Sequence, residues 1–96
     1  MTWIQHTDAP QATGELRACY EALGALYPPE YQDAVPSLVR PDGGTDHVTA
    51  SHSLIPAAML HAFSTLAVLL RPDLPLTRRQ HEMIAAVVSV ANQCFY

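Results

Sequence analysis

The stretch that decides the fold is residues 76–96, which read LTRRQHEMIAAVVSVANQCFY. Thr77 stands three residues before Gln80, the spacing of a capping box, in which two side chains satisfy the free N–H groups at a helix start. Apolar side chains then recur at helical spacing, at Ile84, Val87, Val88 and Ala91. These signals predict a helix over residues 78–92. The β-branched residues in this run leave a strand as the weaker alternative, but no alternation of apolar and polar residues supports it.

Two more helices are predicted upstream of this stretch. Asp8 and Gln11 have the spacing of a second capping box, and an apolar face follows at helical spacing. The pattern predicts a helix over residues 9–27, which ends at two consecutive prolines because a residue before proline is held extended. A further helix is predicted over residues 54–70, with Pro56 in its first turn. The expected fold class is therefore all-α, a helical bundle.

A long connection is predicted over residues 28–52. It is rich in proline and glycine, and the Pro-Asp-Gly-Gly sequence at 41–44 is typical of a turn. Short helical turns are open alternatives at 30–34 and 37–40. The apolar residues expected to anchor this segment to the core are Val35, Leu38 and Val39.

Composition limits the classes of partner. The 96 residues carry a net charge of −4, which argues against nucleic acid and against an anionic membrane surface. Two cysteines do not make a disulfide scaffold, and the sequence has neither a secretory leader nor an apolar run that spans a bilayer. A reduced, cytoplasmic protein is expected.

The chain is also short of charge for its size. Hydrophobic residues make up 49% of it and charged residues only 15%, against about 25% charged in typical domains. A compact globule of this mass would expose roughly 5,400 Å². We therefore expect either that the chain buries surface against partners or that it is part of a larger domain.

Within the stretch 76–96, Glu82 and Cys94 are the candidate catalytic residues. Glu82 lies at the edge of an apolar stripe, so it is either a solvated flank residue or a buried acid with a raised pKa. Cys94 supplies a thiol close to the predicted end of the helix. The histidines show no metal-ligand spacing, so no metal and no cofactor are expected. Cys19, on the apolar face of the first helix, is expected to be a buried, inert thiol.

Residues 76–96 resemble the core of the AhpD-like alkylhydroperoxidases, in the carboxymuconolactone decarboxylase-like superfamily, and most closely the peroxidase-related subgroup. That core runs from an Arg-rich helix start with a Glu, through small and β-branched residues, to Asn-x-Cys-x-x-Cys and a His. The matching positions include Arg78, Arg79, Glu82, Asn92 and Cys94. Looser matches in the first half of the chain are Gly14-Glu15-Leu16, Tyr20 and Ser53-Leu54-Ile55-Pro56.

The resemblance implies an AhpD-like bundle, incomplete in this chain, with residues 1–96 as the N-terminal portion of one domain. It implies that Glu82 serves a proton relay that activates Cys94 within a Cys-x-x-Cys pair, which reduces a hydroperoxide and is restored by a thiol reductant. It also implies a homo-oligomer, a dimer or a hexamer. The sequence stops at Tyr96, one residue before the place of the second Cys, so the 96 residues alone are expected not to turn over peroxide by a dithiol cycle.

Two other functions remain open from the sequence. One is the decarboxylation of a lactone acid, the other reaction of the superfamily, although its branch lacks paired cysteines. The other is a non-catalytic helical oligomerisation module, in which Glu82 and Cys94 are structural residues.

Overall fold

The computed structural model describes residues 3–37 and 39–94. In these residues the chain is all-α, as predicted, with no strand. The helices are α1 (Gly14–Leu26), α2 (His47–Ala50), α3 (Pro56–Leu69) and α4 (Arg78–Ala91), with 3₁₀ turns at Ala9–Gln11 and Pro29–Tyr31.

The start of α1 differs from the prediction, which began this helix at residue 9. Residues 9–11 form a separate 3₁₀ turn, and Gly14 has a φ of +55°, a left-handed conformation that glycine adopts at little cost. The backbone therefore changes direction between the turn and α1. The predicted capping role of Asp8 is wrong, because its side chain makes no cap hydrogen bond and accepts one from Arg40 instead.

The ends of the other helices agree more closely with the sequence. The capping box of α4 is confirmed: the Thr77 hydroxyl accepts from the Gln80 backbone N–H, and the Gln80 side chain accepts from the Thr77 backbone N–H. α1 ends as expected, because Tyr27 is extended before Pro28. α3 is two residues shorter at its start than predicted and one shorter at its end. The predicted loop contains a helix that the sequence reasoning missed, the four-residue α2.

The core lies between α1 and α3, the pair of helices that pack most extensively. It is small: among the described residues, the large aliphatic side chains that are buried are Leu23 and Met59, and Ala12, Cys19, Pro28, Ala50 and Ala67 are buried as well. The buried position predicted for Cys19 is confirmed. Ser53 is also buried, and its hydroxyl accepts a hydrogen bond of 2.8 Å from the Thr7 backbone N–H. This bond ties the N-terminal segment to the start of α3.

One arginine holds the predicted turn at 41–44 in place. The Arg40 guanidinium donates to the Asp8 carboxylate at 3.0 Å and to the Thr45 carbonyl at 2.7 Å, and it also pairs with Asp42. The Asp42 carboxylate accepts from the Gly44 backbone N–H at 3.0 Å. That bond, together with the Arg40 guanidinium, lowers the pKa of Asp42. The turn itself is confirmed by the Gly43 N–H bond to the Arg40 carbonyl.

The expected anchors of this connection do not reach the core. Val35 and Val39 are both exposed, so their predicted burial is wrong, and Leu38 lies outside the described residues. The hydrogen bonds of Arg40 fix the segment instead of apolar contacts.

α4 has no buried residue, although its sequence is amphipathic. What we call the apolar side of α4 comprises five side chains, each more than half exposed: Met83, Ile84, Val87, Val88 and Val90. The chain as a whole exposes 7,219 Å², well above the roughly 5,400 Å² expected for a compact globule of its mass. No helix in the described part of the chain is long and apolar enough to cross a bilayer.

Candidate functional site

An open cleft of about 830 Å³ lies between α1, α2 and α3. Its walls are mainly aromatic and aliphatic, with Tyr20, Leu23, Tyr27, Tyr31, Phe63 and Leu66 among them. A volume of this size falls in the range of small-molecule sites.

Hydrogen bonds fix the aromatic wall of the cleft. The Tyr20 hydroxyl donates to the Thr7 carbonyl at 2.8 Å, and the Gln32 side-chain amide donates to the Tyr27 carbonyl at 2.8 Å. Burial raises the pKa of Tyr20 and of Tyr27, so both phenols stay neutral at physiological pH.

Among the residues that the structure describes, none that lines the cleft is an obvious nucleophile or general base. Its one carboxylate, that of Asp46, accepts a hydrogen bond of 2.8 Å from the Thr49 backbone N–H as the N-cap of α2. No described cysteine, histidine or glutamate lines it. Its mainly aromatic and aliphatic walls suit the binding of an apolar molecule.

Glu82 does not line this cleft but forms a small cluster with Arg78 and with Tyr31, which does line it. The Arg78 guanidinium stacks on the Tyr31 ring, 3.7 Å from its centroid, and donates to the Glu82 carboxylate at 3.1 Å. The Glu82 side chain remains about half exposed, at 56%. Of the two alternatives that the sequence left for this acid, the solvated flank residue describes its position better.

Tyr31 links the cluster to the cleft. Burial raises the pKa of Tyr31; the charge of Arg78 opposes the rise, and the Glu82 and Glu30 carboxylates add to it. The buried hydroxyl does not meet the geometry of a hydrogen bond with any described residue, so we attribute the influence of Glu82 to its charge. The sequence carries no local signal for this contact between α4 and the turn after α1.

Cys94 lies just past the end of α4, with an exposed, free thiol. The chain turns there through a Schellman motif, in which the Cys94 N–H bonds to the Ser89 carbonyl at 2.9 Å and the Gln93 N–H to the Val90 carbonyl at 3.0 Å. Gln93 is the left-handed residue of this turn, with a φ of +52°, and Asn92 is the C-cap.

The described structure does not bring Glu82 and Cys94 together. Ala91 lies nine positions after Glu82 on the continuous helix α4, a rise of about 13.5 Å. The Glu82 carboxylate also leans toward Arg78, one turn nearer the N-terminus, and so away from Cys94. Within one chain, the distance between the Glu82 carboxylate and the Cys94 thiol is therefore too long for direct proton transfer.

The structure offers no metal centre in the residues it describes, since no group of three or more His, Cys, Asp or Glu side chains converges there. His81 is notable for another reason: neither of its ring nitrogens, both buried, has a hydrogen-bonding partner in the described part of the chain.

The comparisons with known proteins found no match: no family model, no curated protein and no solved structure. What the site does must therefore follow from its own residues.

Proposed function

We propose that this chain is an AhpD-like, peroxidase-related protein whose reacting group is the thiol of Cys94. The observation that carries the proposal is the exposed, free thiol at a fixed chain reversal directly after α4. The reaction is proposed from the resemblance of residues 76–96 to that family. From the same resemblance we propose that the helices form a bundle of the AhpD-like type.

The reaction needs one accessible thiolate. Its sulfur attacks one oxygen of a hydroperoxide, so that an S–O bond forms and the O–O bond breaks. The sulfur is oxidised by two electrons to a sulfenic acid, while the peroxide is reduced to an alcohol, whose oxygen takes up a proton. An added thiol then forms a mixed disulfide with Cys94 and releases water, and a second thiol restores Cys94.

The surroundings of Cys94 limit the reaction to a single oxidation. The only other cysteine in the sequence, Cys19, is buried on α1 and is not accessible to resolve a sulfenic acid. We therefore expect one oxidation per chain and no dithiol cycle by the 96 residues alone.

The test exposes the reduced chain to a slight excess of an alkyl hydroperoxide and traps sulfenic acid with a dimedone-type probe. The expected result is one probe per chain, located at Cys94 by peptide mass spectrometry and lost in Cys94→Ser. Cys19→Ser should label as the native chain does. Labelling that persists in Cys94→Ser, or steady peroxide turnover with a dithiol as the only reductant, would contradict the proposal.

Glu82 enters the proposal as the acid of a proton relay. Because its carboxylate is too far from Cys94 for direct transfer, the relay requires intermediate groups. Glu82→Gln should then slow the oxidation of Cys94 by roughly 100-fold, the lower end of general acid–base effects. Glu21→Gln is a matched control, because Glu21 forms the same kind of i,i+4 pair with Arg17 on α1. If Cys94 is oxidised at the same rate in both variants, Glu82 has no part in a proton relay and only pairs with Arg78.

A second candidate function is a non-catalytic helical association module, and the exposed apolar side of α4 favours it. In that case Cys94 has no reason to react faster than an ordinary exposed thiol. The rate of alkylation by iodoacetamide at neutral pH, measured against a short peptide with the same sequence as residues 89–96, separates the two. A rate well above the peptide's supports the redox function, and an equal or slower rate supports the association module.

A further inference from the structure

The cleft between α1, α2 and α3 carries a negative charge on its wall. The Asp46 carboxylate lines the cleft, whereas no described lysine, arginine or histidine does. One oxygen of this carboxylate accepts from the Thr49 backbone N–H, and that bond holds the side chain in place without cancelling its charge. A cleft lined by one sign of charge favours a ligand of the opposite sign.

Two arginines contact the wall of the cleft from outside, and both are paired with carboxylates. The Arg40 guanidinium donates to the carbonyl of Thr45, a lining residue, but it also pairs with two carboxylates. The Arg78 guanidinium stacks on Tyr31 and pairs with a carboxylate of its own helix. Because both cations are compensated, the charge of Asp46 remains for a ligand.

Aromatic rings share the cleft with this carboxylate. Tyr20, Tyr27, Tyr31 and Phe63 all line it, and the electron-rich faces of such rings attract organic cations. Burial is the main cause that raises the pKa of Tyr20 and of Tyr27, and the charge of Asp46 adds to the rise at both. Both rings are therefore neutral phenols that lie within reach of the field of Asp46.

The walls also decide which kind of cation fits. No group of three or more His, Cys, Asp or Glu side chains converges in the described part of the chain, so the cleft lacks the ligands that a divalent metal ion requires. A compact ammonium is strongly hydrated and would lose water to walls that are mainly apolar. A quaternary ammonium ion is recognised by aromatic faces, and about 830 Å³ is within the range of clefts that hold drug-sized molecules.

We infer that this cleft binds a small organic cation, a quaternary ammonium group on an aromatic or alkyl body. The positive charge lies between the Asp46 carboxylate and the tyrosine rings, and the apolar body packs against Leu23 and Leu66, which line the same cleft. This binding does not involve the Cys94 thiol, so its test and that of the peroxide reaction fail separately.

The test titrates the ¹⁵N-labelled 96-residue chain with benzyltrimethylammonium and follows the backbone amide signals by NMR. The amides of the lining residues Gly24, Tyr27 and Thr49 should shift, with a dissociation constant of roughly millimolar or tighter. Benzyl alcohol has the same ring without the charge and should bind roughly fivefold more weakly. Phenylacetate, an anion, should bind more weakly still, and Cys94→Ser should bind the cation as the native chain does.

Asp46→Asn removes the charge and keeps the cap of α2, because asparagine caps a helix as well as aspartate does. It should weaken binding of benzyltrimethylammonium roughly fivefold, the upper end for an ion pair in an open site, and leave benzyl alcohol unaffected. Asp73→Asn is the matched control, because it removes one carboxylate that is paired with Arg71 outside the cleft. Its affinity for the cation should be unchanged.

Gly24→Leu is a second variant that does not depend on charge. Gly24 lies on the same side of α1 as Tyr20 and Tyr27, and a Cβ there would meet no other atom within 4 Å. Leucine also favours a helix over glycine, so the variant should fill the cleft and abolish binding without lowering the Tm. No binding of the cation, equal affinity for benzyl alcohol, or an unchanged affinity in Asp46→Asn or Gly24→Leu would each overturn the inference.

Discussion

The substitution Met59→Ala tests the small core on which every other feature rests. Among the described residues, Met59 is the largest side chain that is fully buried, and it lies on α3, which packs against α1. Leu23 is the other large aliphatic side chain that is buried in this part of the chain. Removal of a buried methionine costs about 2–5 kcal/mol, for the lost transfer of the side chain and the cavity left behind. A chain of this length has roughly 5–14 kcal/mol in total, so the loss is a large fraction of its stability.

The assay is thermal unfolding followed by circular dichroism at one fixed protein concentration, because association raises the apparent stability. A loss of about 3 kcal/mol corresponds to a fall in Tm of about 12–24 °C for a domain of this size. Met59→Leu conserves volume and should cost less than about 1.5 kcal/mol. Leu69→Ala, at an exposed position of the same helix, should stay within about 0.5 kcal/mol. Equal effects of Met59→Ala and Leu69→Ala would refute the position of the core.

Three further predictions concern the thiols, the turn and the capping box. Cys94 should react with Ellman's reagent roughly 100-fold or more faster than Cys19, since the buried thiol reacts only after opening; similar rates in the two single-cysteine variants would contradict this. The pKa of the Asp42 carboxyl is lower in the folded chain than in the unfolded chain, where it is near 3.9. The charged carboxylate therefore stabilises the fold above the unfolded pKa, and this stability is lost as the pH falls through the folded pKa. Asp42→Asn should flatten the acid side of a Tm-against-pH curve below about pH 4, and an unchanged curve would count against this role of Asp42. Thr77→Ala should cost about 1 kcal/mol and reduce the helical circular dichroism signal; no change in either would mean that the cap is dispensable.

Local signals predicted most of the fold. The start of α4 was predictable because the capping box involves residues three apart, and the end of α1 because proline acts on the residue before it. The start of α1 was not, since the left-handed backbone at Gly14 depends on where the N-terminal segment is held. That segment is held by Arg40 and Ser53, far away in the sequence.

The candidate site was predicted less well for a related reason. Periodicity shows that α4 has an apolar side, but it does not show whether that side faces the body of the molecule or the solvent. The stack of Arg78 on Tyr31, which decides the matter, joins residues far apart in the chain. The role of Cys94 depends on what approaches its thiol, and the sequence pattern shows only that the thiol is present.

The three contacts of Arg40 make two distant stretches of chain behave as one unit. Its planar cation joins Asp8, next to the first turn, to Asp42 and Thr45, more than thirty residues later. A lysine at this position has one point of charge and cannot reproduce the forked pattern of donors. When this guanidinium is lost, the segment around Asp8 and the segment around Asp42 and Thr45 should therefore unfold together, with the same amide exchange rates and the same protease sensitivity.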